Sequence, residues 1–123
     1  MAHLNLLKMK NLIFFCLVLV AFTTSCALTS NTIIKSNESF VLGNNQHGSF
    51  NVKLRNVSKE NVTVYQAPIE GGTHSPQIVK PNQLVKVSVD KNTALIVANK
   101  SVETVSVDLK VVGDLGLSMG YKN

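Results

Sequence analysis

From about residue 31 onward the chain alternates apolar and polar positions instead of spacing them at helical intervals. Phe50, Val52 and Leu54 fall on one side of an extended segment, with Asn51, Lys53 and Arg55 on the other. Val85, Val87 and Val89 alternate with Lys86 and Ser88, and Val105, Val107, Leu109 and Val111 with Ser106, Asp108 and Lys110. A period of two sends every second side chain to the same face, so each segment carries one dry and one wet face, as in antiparallel sheets. Fifteen valines between Val41 and Val112 suit a pleated, half-buried surface better than a helix. No stretch after residue 30 holds a 3.6-residue period, so helix is expected to be close to absent.

Polar punctuation divides this pattern. Gly43 to Gly48 reads as a loop, Ser58 to Asn61 as a tight hairpin connection, and Glu70 to Pro76 as the longest loop. Pro81-Asn82 suits a β-turn because proline presets φ at the first central position. Asp90-Lys91-Asn92 and Asn99-Lys100-Ser101 supply two more turns. Strands are expected near 32–42, 49–57, 61–67, 77–80, 84–90, 94–98, 102–112 and 115–121. The expected fold class is all-β: a small antiparallel β-sandwich, immunoglobulin-like, or a barrel of about seven or eight short strands. Without crossover helices a parallel α/β sheet is excluded.

Two local features add detail. Val111 and Val112 interrupt the alternation just before Gly113, which predicts a bulge or bend. Beyond it Leu115, Leu117, Met119 and Tyr121 alternate with Gly116, Ser118 and Gly120. A strand with glycine along one face either packs closely against a neighbour or forms an edge open to a partner strand. The segment VKPNQLVKVSVDKNTALIVANKSVETVSVDL (79–109) resembles the proline-turn-strand-strand rhythm of small immunoglobulin-like modules. The chain has no Trp and lacks the Cys-Trp-Cys core of antibody domains, so this resemblance implies no functional residue.

The first thirty residues follow a different logic. Met1 to Asn11 carries Lys8 and Lys10 without an acid, and Leu12 to Phe22 is eleven apolar residues in a row. A membrane-spanning helix needs about 20 such residues, whereas an export signal needs about 7–15. Small polar residues Thr23, Thr24 and Ser25 follow, and two cleavage readings stand. Cleavage after Ala27 would use Ser25 and Ala27 as the small selective residues and discard Cys26. Alternatively, Thr23-Thr24-Ser25-Cys26 resembles the lipobox of bacterial lipoproteins, in the looser form familiar from the Bacteroidota, with Thr23 where an aliphatic residue is usual. That resemblance implies a signal peptide over 1–25, cleavage at Ser25, and lipid on Cys26. A short tether over 26–30 and a β-sandwich domain over 31–123 would follow. Cys16 leaves with the signal, so Cys26 is the one mature thiol and no internal disulfide can form.

The whole chain has a formal net charge of +5, and losing Lys8 and Lys10 leaves about +3. The remaining cations are spread along the sequence and only Arg55 is an arginine, so nucleic acid is not an expected partner. Chemistry is sparse. His47 and His74 both fall in expected loops and would meet only if those loops share one end of the sandwich. No paired-cysteine, HxH or HxxxH spacing supports a metal or another cofactor. There is no GxSxG, and Asp90 and Asp114 stand in turns, where aspartate bonds local backbone. Four Asn-x-Ser/Thr triplets begin at Asn37, Asn56, Asn61 and Asn99, and an Asn/Ser/Thr-rich chain produces such triplets by chance.

Together these residues point to an exported, lipid-anchored cell-envelope domain. It would be no enzyme but would have a binding or structural role, with the membrane reached through Cys26 and an envelope protein or glycan as partner. The outer membrane or periplasm is the expected location. The alternatives are a freely secreted or periplasmic inhibitor or accessory subunit and, lower, a metal carrier or enzyme built on the candidate loop residues His47 and His74.

Overall fold

The alternating segments become strands. The structure, a computed structural model, describes residues 27–123. Its strands are β1 (Ala27–Ile34), β2 (Ser39–Leu42), β3 (Phe50–Asn56), β4 (Val62–Pro68), β5 (His74–Val79), β6 (Leu84–Val89), β7 (Thr93–Ala98), β8 (Val105–Gly113) and β9 (Met119–Lys122). Among the described residues there is no helix. Cys26, Ser25 and the apolar leader lie outside the described residues.

The strands form two antiparallel sheets, one ordered β1-β8-β3-β6 and the other β5-β4-β7-β2-β9. This is the β-sandwich that the alternation predicts. Its connectivity, with β1, β3, β6 and β8 in one sheet and β2, β4, β5 and β7 in the other, is that of a double Greek-key jelly roll. It is not the strand order of the immunoglobulin fold that the 79–109 rhythm resembles. The strand β9 is an addition, laid along the free edge of β2.

The inward residues meet between the sheets. Ile34, Leu42, Phe50, Leu54, Leu95, Val97 and Val107 are fully buried there, with Val52, Val64, Val79, Val89 and Val111 around them. Each such side chain contributes about 1.5–3 kcal/mol when removed from water. Buried and exposed side chains alternate along β3 without a break from Phe50 to Asn56, as its sequence requires.

The boundaries differ from the sequence expectation in several places. His74 opens β5 instead of lying in the expected loop Glu70 to Pro76, and the last strand is confined to Met119–Lys122 rather than 115–121. The segment 32–42 is two strands, because Lys35 to Glu38 turns the chain from one sheet to the other: Glu38 N–H donates to the Lys35 carbonyl at 3.1 Å and Asn37 has φ 61°. Residues 27–30, expected as tether, are strand, paired with β8 from Ala27↔Val112 onward, and Leu28 packs against the core. At Val111 and Val112 the ladder runs on without a bulge, one side chain inward and the next outward. The bend follows at Gly113, whose φ is 110°. The register shift that does occur lies between Val64 and Gln66, where β4 meets β5.

The two halves of the sandwich repeat one another. The turn Lys35-Ser36-Asn37-Glu38 joins β1 to β2 as Lys80-Pro81-Asn82-Gln83 joins β5 to β6. The Glu38 and Gln83 side chains accept from Lys35 N–H and Lys80 N–H at 3.3 and 2.9 Å, and Asn37 and Asn82 both have positive φ. Asn56 to Glu60 joins β3 to β4 as Asn99 to Glu103 joins β7 to β8. These turns also interlock: Asn37 N–H donates to the Asn99 carbonyl at 2.9 Å, and Asn82 N–H to the Asn56 carbonyl at 2.7 Å.

Candidate functional site

The strand directions sort the loops into two groups. Loops 43–49, 69–73, 90–92 and 114–118 lie at the end where β1 begins, and loops 35–38, 57–61, 80–83 and 99–104 at the opposite end. The first group brings His47 and His74 to the same end, but not into one site. An open cleft of about 620 Å³ there is lined by His74, Glu70, Asp90, Lys91 and Gly48 among others, without His47. His74 is exposed and its Nδ1 meets Ser75 Oγ at 2.9 Å.

His47 does lie in a loop, as its sequence context predicts, but its side chain is buried. Its two ring nitrogens lie 2.5 and 2.9 Å from the carbonyl oxygens of Gly48 and Thr93, and its ring stands edge-on to Phe50 with centroids 5.1 Å apart. Loop 43–49 folds its one aromatic polar residue inward, where it closes this end of the core. Asn92 Oδ1 accepts from His47 N–H at 2.9 Å, and Asn92 N–H donates to the His47 carbonyl at 3.1 Å. Gly43, at φ +86°, leaves the room this needs, since a Cβ there would come within 3.0 Å of His47 Nε2. Among the described residues no three His, Cys, Asp or Glu side chains stand close enough to share a metal ion.

Asp114 is the second staple of this end. Its Oδ2 accepts from Gly48 N–H at 2.6 Å and its Oδ1 from Gly116 N–H at 2.8 Å. The Gly48 and then the Gly116 bond hold its carboxyl below the usual carboxylate range, against a small desolvation effect and with a lesser pull from His47. Asn45 ties the same two loops, donating to the Gly116 carbonyl and accepting from Ser118 N–H, each at 2.9 Å. These polar groups hold the two loops together.

At the opposite end two of the Asn-x-Ser triplets have a structural use. Asn56 is fully buried, donating to the carbonyls of Glu60 at 2.7 Å and Val79 at 3.0 Å, while Ser58 N–H donates to its Oδ1 at 3.0 Å. Asn99 repeats this, donating to Glu103 at 2.7 Å and Ile34 at 3.0 Å and accepting from Ser101 N–H at 2.9 Å.

A further set of exposed polar groups lies on the outer face of the four-stranded sheet. Lys53 on β3 stands directly opposite Lys86 on β6 and directly opposite Lys110 on β8. Beyond Lys110 the same row reaches Thr29 on β1. The next row is Leu84, Arg55, Asp108 and Asn31. Asp108 Oδ1 accepts from Asn31 Nδ2 at 2.8 Å, and Arg55 donates to the Asn82 carbonyl at 3.0 Å. Two hollows flank the lysine row. One of about 520 Å³ lies toward Arg55, Asp108 and Asn31, and one of about 330 Å³ toward Asn51, Ser88 and Val112; Lys53 and Lys110 border both. Along the sequence these lysines are scattered. The only signal was that 53, 86 and 110 all occupy outward positions, and their adjacency depends on register.

No protein-family model matches the chain, and no curated protein matches it. Solved structures do. The capsular polysaccharide assembling protein CapF from Staphylococcus aureus superposes with a TM-score of 0.54 at 18% identity, over 74% of this chain and 24% of that one. A second crystal form of CapF gives 0.55 at 18% identity, over 73% and 25%. Procruciferin, an 11S globulin from Brassica napus, gives 0.51 at 13% identity, over 76% and 22%. The chain spans about a quarter of the length of these proteins, and the likeness is one of β-sandwich fold alone.

Proposed function

We propose that the protein is a non-catalytic binding domain of the cell envelope, held to a membrane by lipid on Cys26 and working through the outer face of the β1-β8-β3-β6 sheet. The observation that carries this reading is how its polar groups are used. Among the described residues every buried side-chain polar atom has a hydrogen-bond partner, and the space between the sheets is filled by apolar side chains. A catalytic site needs convergent polar groups in a concave, water-excluding place, whereas the lysine row is exposed on a sheet face.

The start of β1 sets where such an anchor would sit. Ala27 is already paired with Val112, so a lipid on the preceding residue would hold the sandwich against the bilayer with almost no linker. The 43–49, 69–73, 90–92 and 114–118 loops would then face the membrane. Two or three acyl chains on one cysteine would make this attachment effectively permanent, since one chain alone binds marginally. Among the described residues no helix is long and apolar enough to cross a membrane.

Cell fractionation with intact-mass analysis tests the reading. The expected result is a membrane-bound chain that begins at an acylated Cys26, with the Cys26→Ser variant losing the membrane fraction. A mature chain beginning at Leu28 without lipid would replace it with the freely secreted inhibitor or accessory subunit.

A further inference from the structure

We infer that the lysine row on the outer face of the four-stranded sheet binds a linear acidic polysaccharide laid across the strands. The inference rests on the binding-domain reading and names its ligand class. Like charges directly opposite one another on neighbouring strands destabilise a sheet, yet Lys53 has a lysine on both sides. Protection of an exposed edge accounts for Lys86 on the edge strand β6 but not for Lys53 and Lys110, because β3 and β8 are the two inner strands of this sheet. Charges of alternating sign would keep the face equally soluble without the repulsion. A row of three cations is explained by an anion that bridges them.

The geometry selects the kind of anion. Neighbouring strands lie about 4.8 Å apart, so the outer two lysines of the row are separated by roughly 10 Å at the backbone. A row of that width suits a chain bearing a charge on successive units, which meets each ammonium without drawing the three together. The hollows on either side of the row give the face a ridge and two troughs, which fits a thread better than a flat bilayer surface. Asn31, Thr29, Asn51 and Ser88 border the troughs and can exchange hydrogen bonds with sugar hydroxyls. Single-stranded nucleic acid fits poorly, because the outward positions of these four strands carry no aromatic side chain on which a base could stack.

The test uses the chain made free of lipid by Cys26→Ser in affinity electrophoresis through gels containing polygalacturonate, neutral dextran or poly-dT, together with co-sedimentation on phosphatidylglycerol vesicles. Retardation by polygalacturonate alone, weakening as salt rises, is expected. The K53Q/K86Q/K110Q variant should bind at least about tenfold more weakly with a melting temperature equal to or above that of the parent. K35Q/K100Q, altered at the far end, should bind as the parent does. Absence of retardation, retention of binding in the triple variant, or tighter binding to vesicles or poly-dT would overturn the inference. Because the assay needs no lipid, its failure is separable from failure of the anchor at Cys26.

Discussion

Asn56 and Asn99 do the same work in the two halves of the sandwich. Each stands just at or beyond the end of an inner strand, β3 or β7, and spans its own turn to reach the last residue of an edge strand: Val79 of β5 or Ile34 of β1. The carboxamide suits this place because it offers two donors and an acceptor without charge.

Removing either clamp should be costly. Asn56→Ala or Asn99→Ala leaves buried carbonyls without partners, and a loss of about 2–3 kcal/mol is expected. Urea denaturation should show a lower midpoint at unchanged slope. A midpoint equal to the parent's would mean that water enters and replaces the amide.

Asp114 should make stability depend on acid. Its folded-state carboxyl is held low chiefly by Gly48 N–H and then by Gly116 N–H. The contribution is therefore present above the unfolded-state value of about 3.9 and is lost as pH falls through the lower folded value. Thermal melts of Asp114→Asn at neutral pH should lie below the parent, and the gap should narrow below about pH 4. A parallel offset at every pH would show that the carboxylate charge has no part in it.

Two glycines in the last part of the chain should answer differently to alanine. Gly113 has φ +110° and a Cβ there would come within 2.9 Å of the Ser49 carbonyl oxygen, whereas a Cβ at Gly120 would meet nothing within 4 Å. Gly113→Ala should cost more than about 1 kcal/mol, and Gly120→Ala should stay within about 0.5 kcal/mol of the parent. Equal effects in denaturant melts would show that the bend after β8 is not what Gly113 supplies.

The last strand should be dispensable for folding but not for behaviour. Deleting residues 119–123 removes Tyr121, whose ring stands edge-on to Phe40 at 5.5 Å, a contact worth about 1 kcal/mol. The eight-stranded jelly roll should keep its circular dichroism, while light scattering should show self-association once β2 becomes a bare edge. A truncated chain that unfolds would place β9 in the core.

The strands were legible because burial on one face writes itself into every second residue, and 50–56 or 105–111 can be read in no other way. The split of 32–42 was less visible. Phe40 and Leu42 continue an apolar segment, and only the turn chemistry of Lys35 to Glu38, which recurs at Lys80 to Gln83, marks the passage between sheets. His47 looked like a loop residue because its neighbours are Gly, Asn and Gln; the pocket between Phe50 and the Thr93 carbonyl comes from three separate segments.

What the sequence determined by itself is the two-faced character of each strand, the side chains that turn inward, and the turn residues that end the strands, since these depend on local pattern and backbone chemistry. What only the tertiary structure decided is which strands are neighbours. Interstrand hydrogen bonds join backbone groups that are alike at every position, so pairing is settled by closing one core around all the inward side chains at once. That closure puts Lys53, Lys86 and Lys110, far apart along the chain, into a single row.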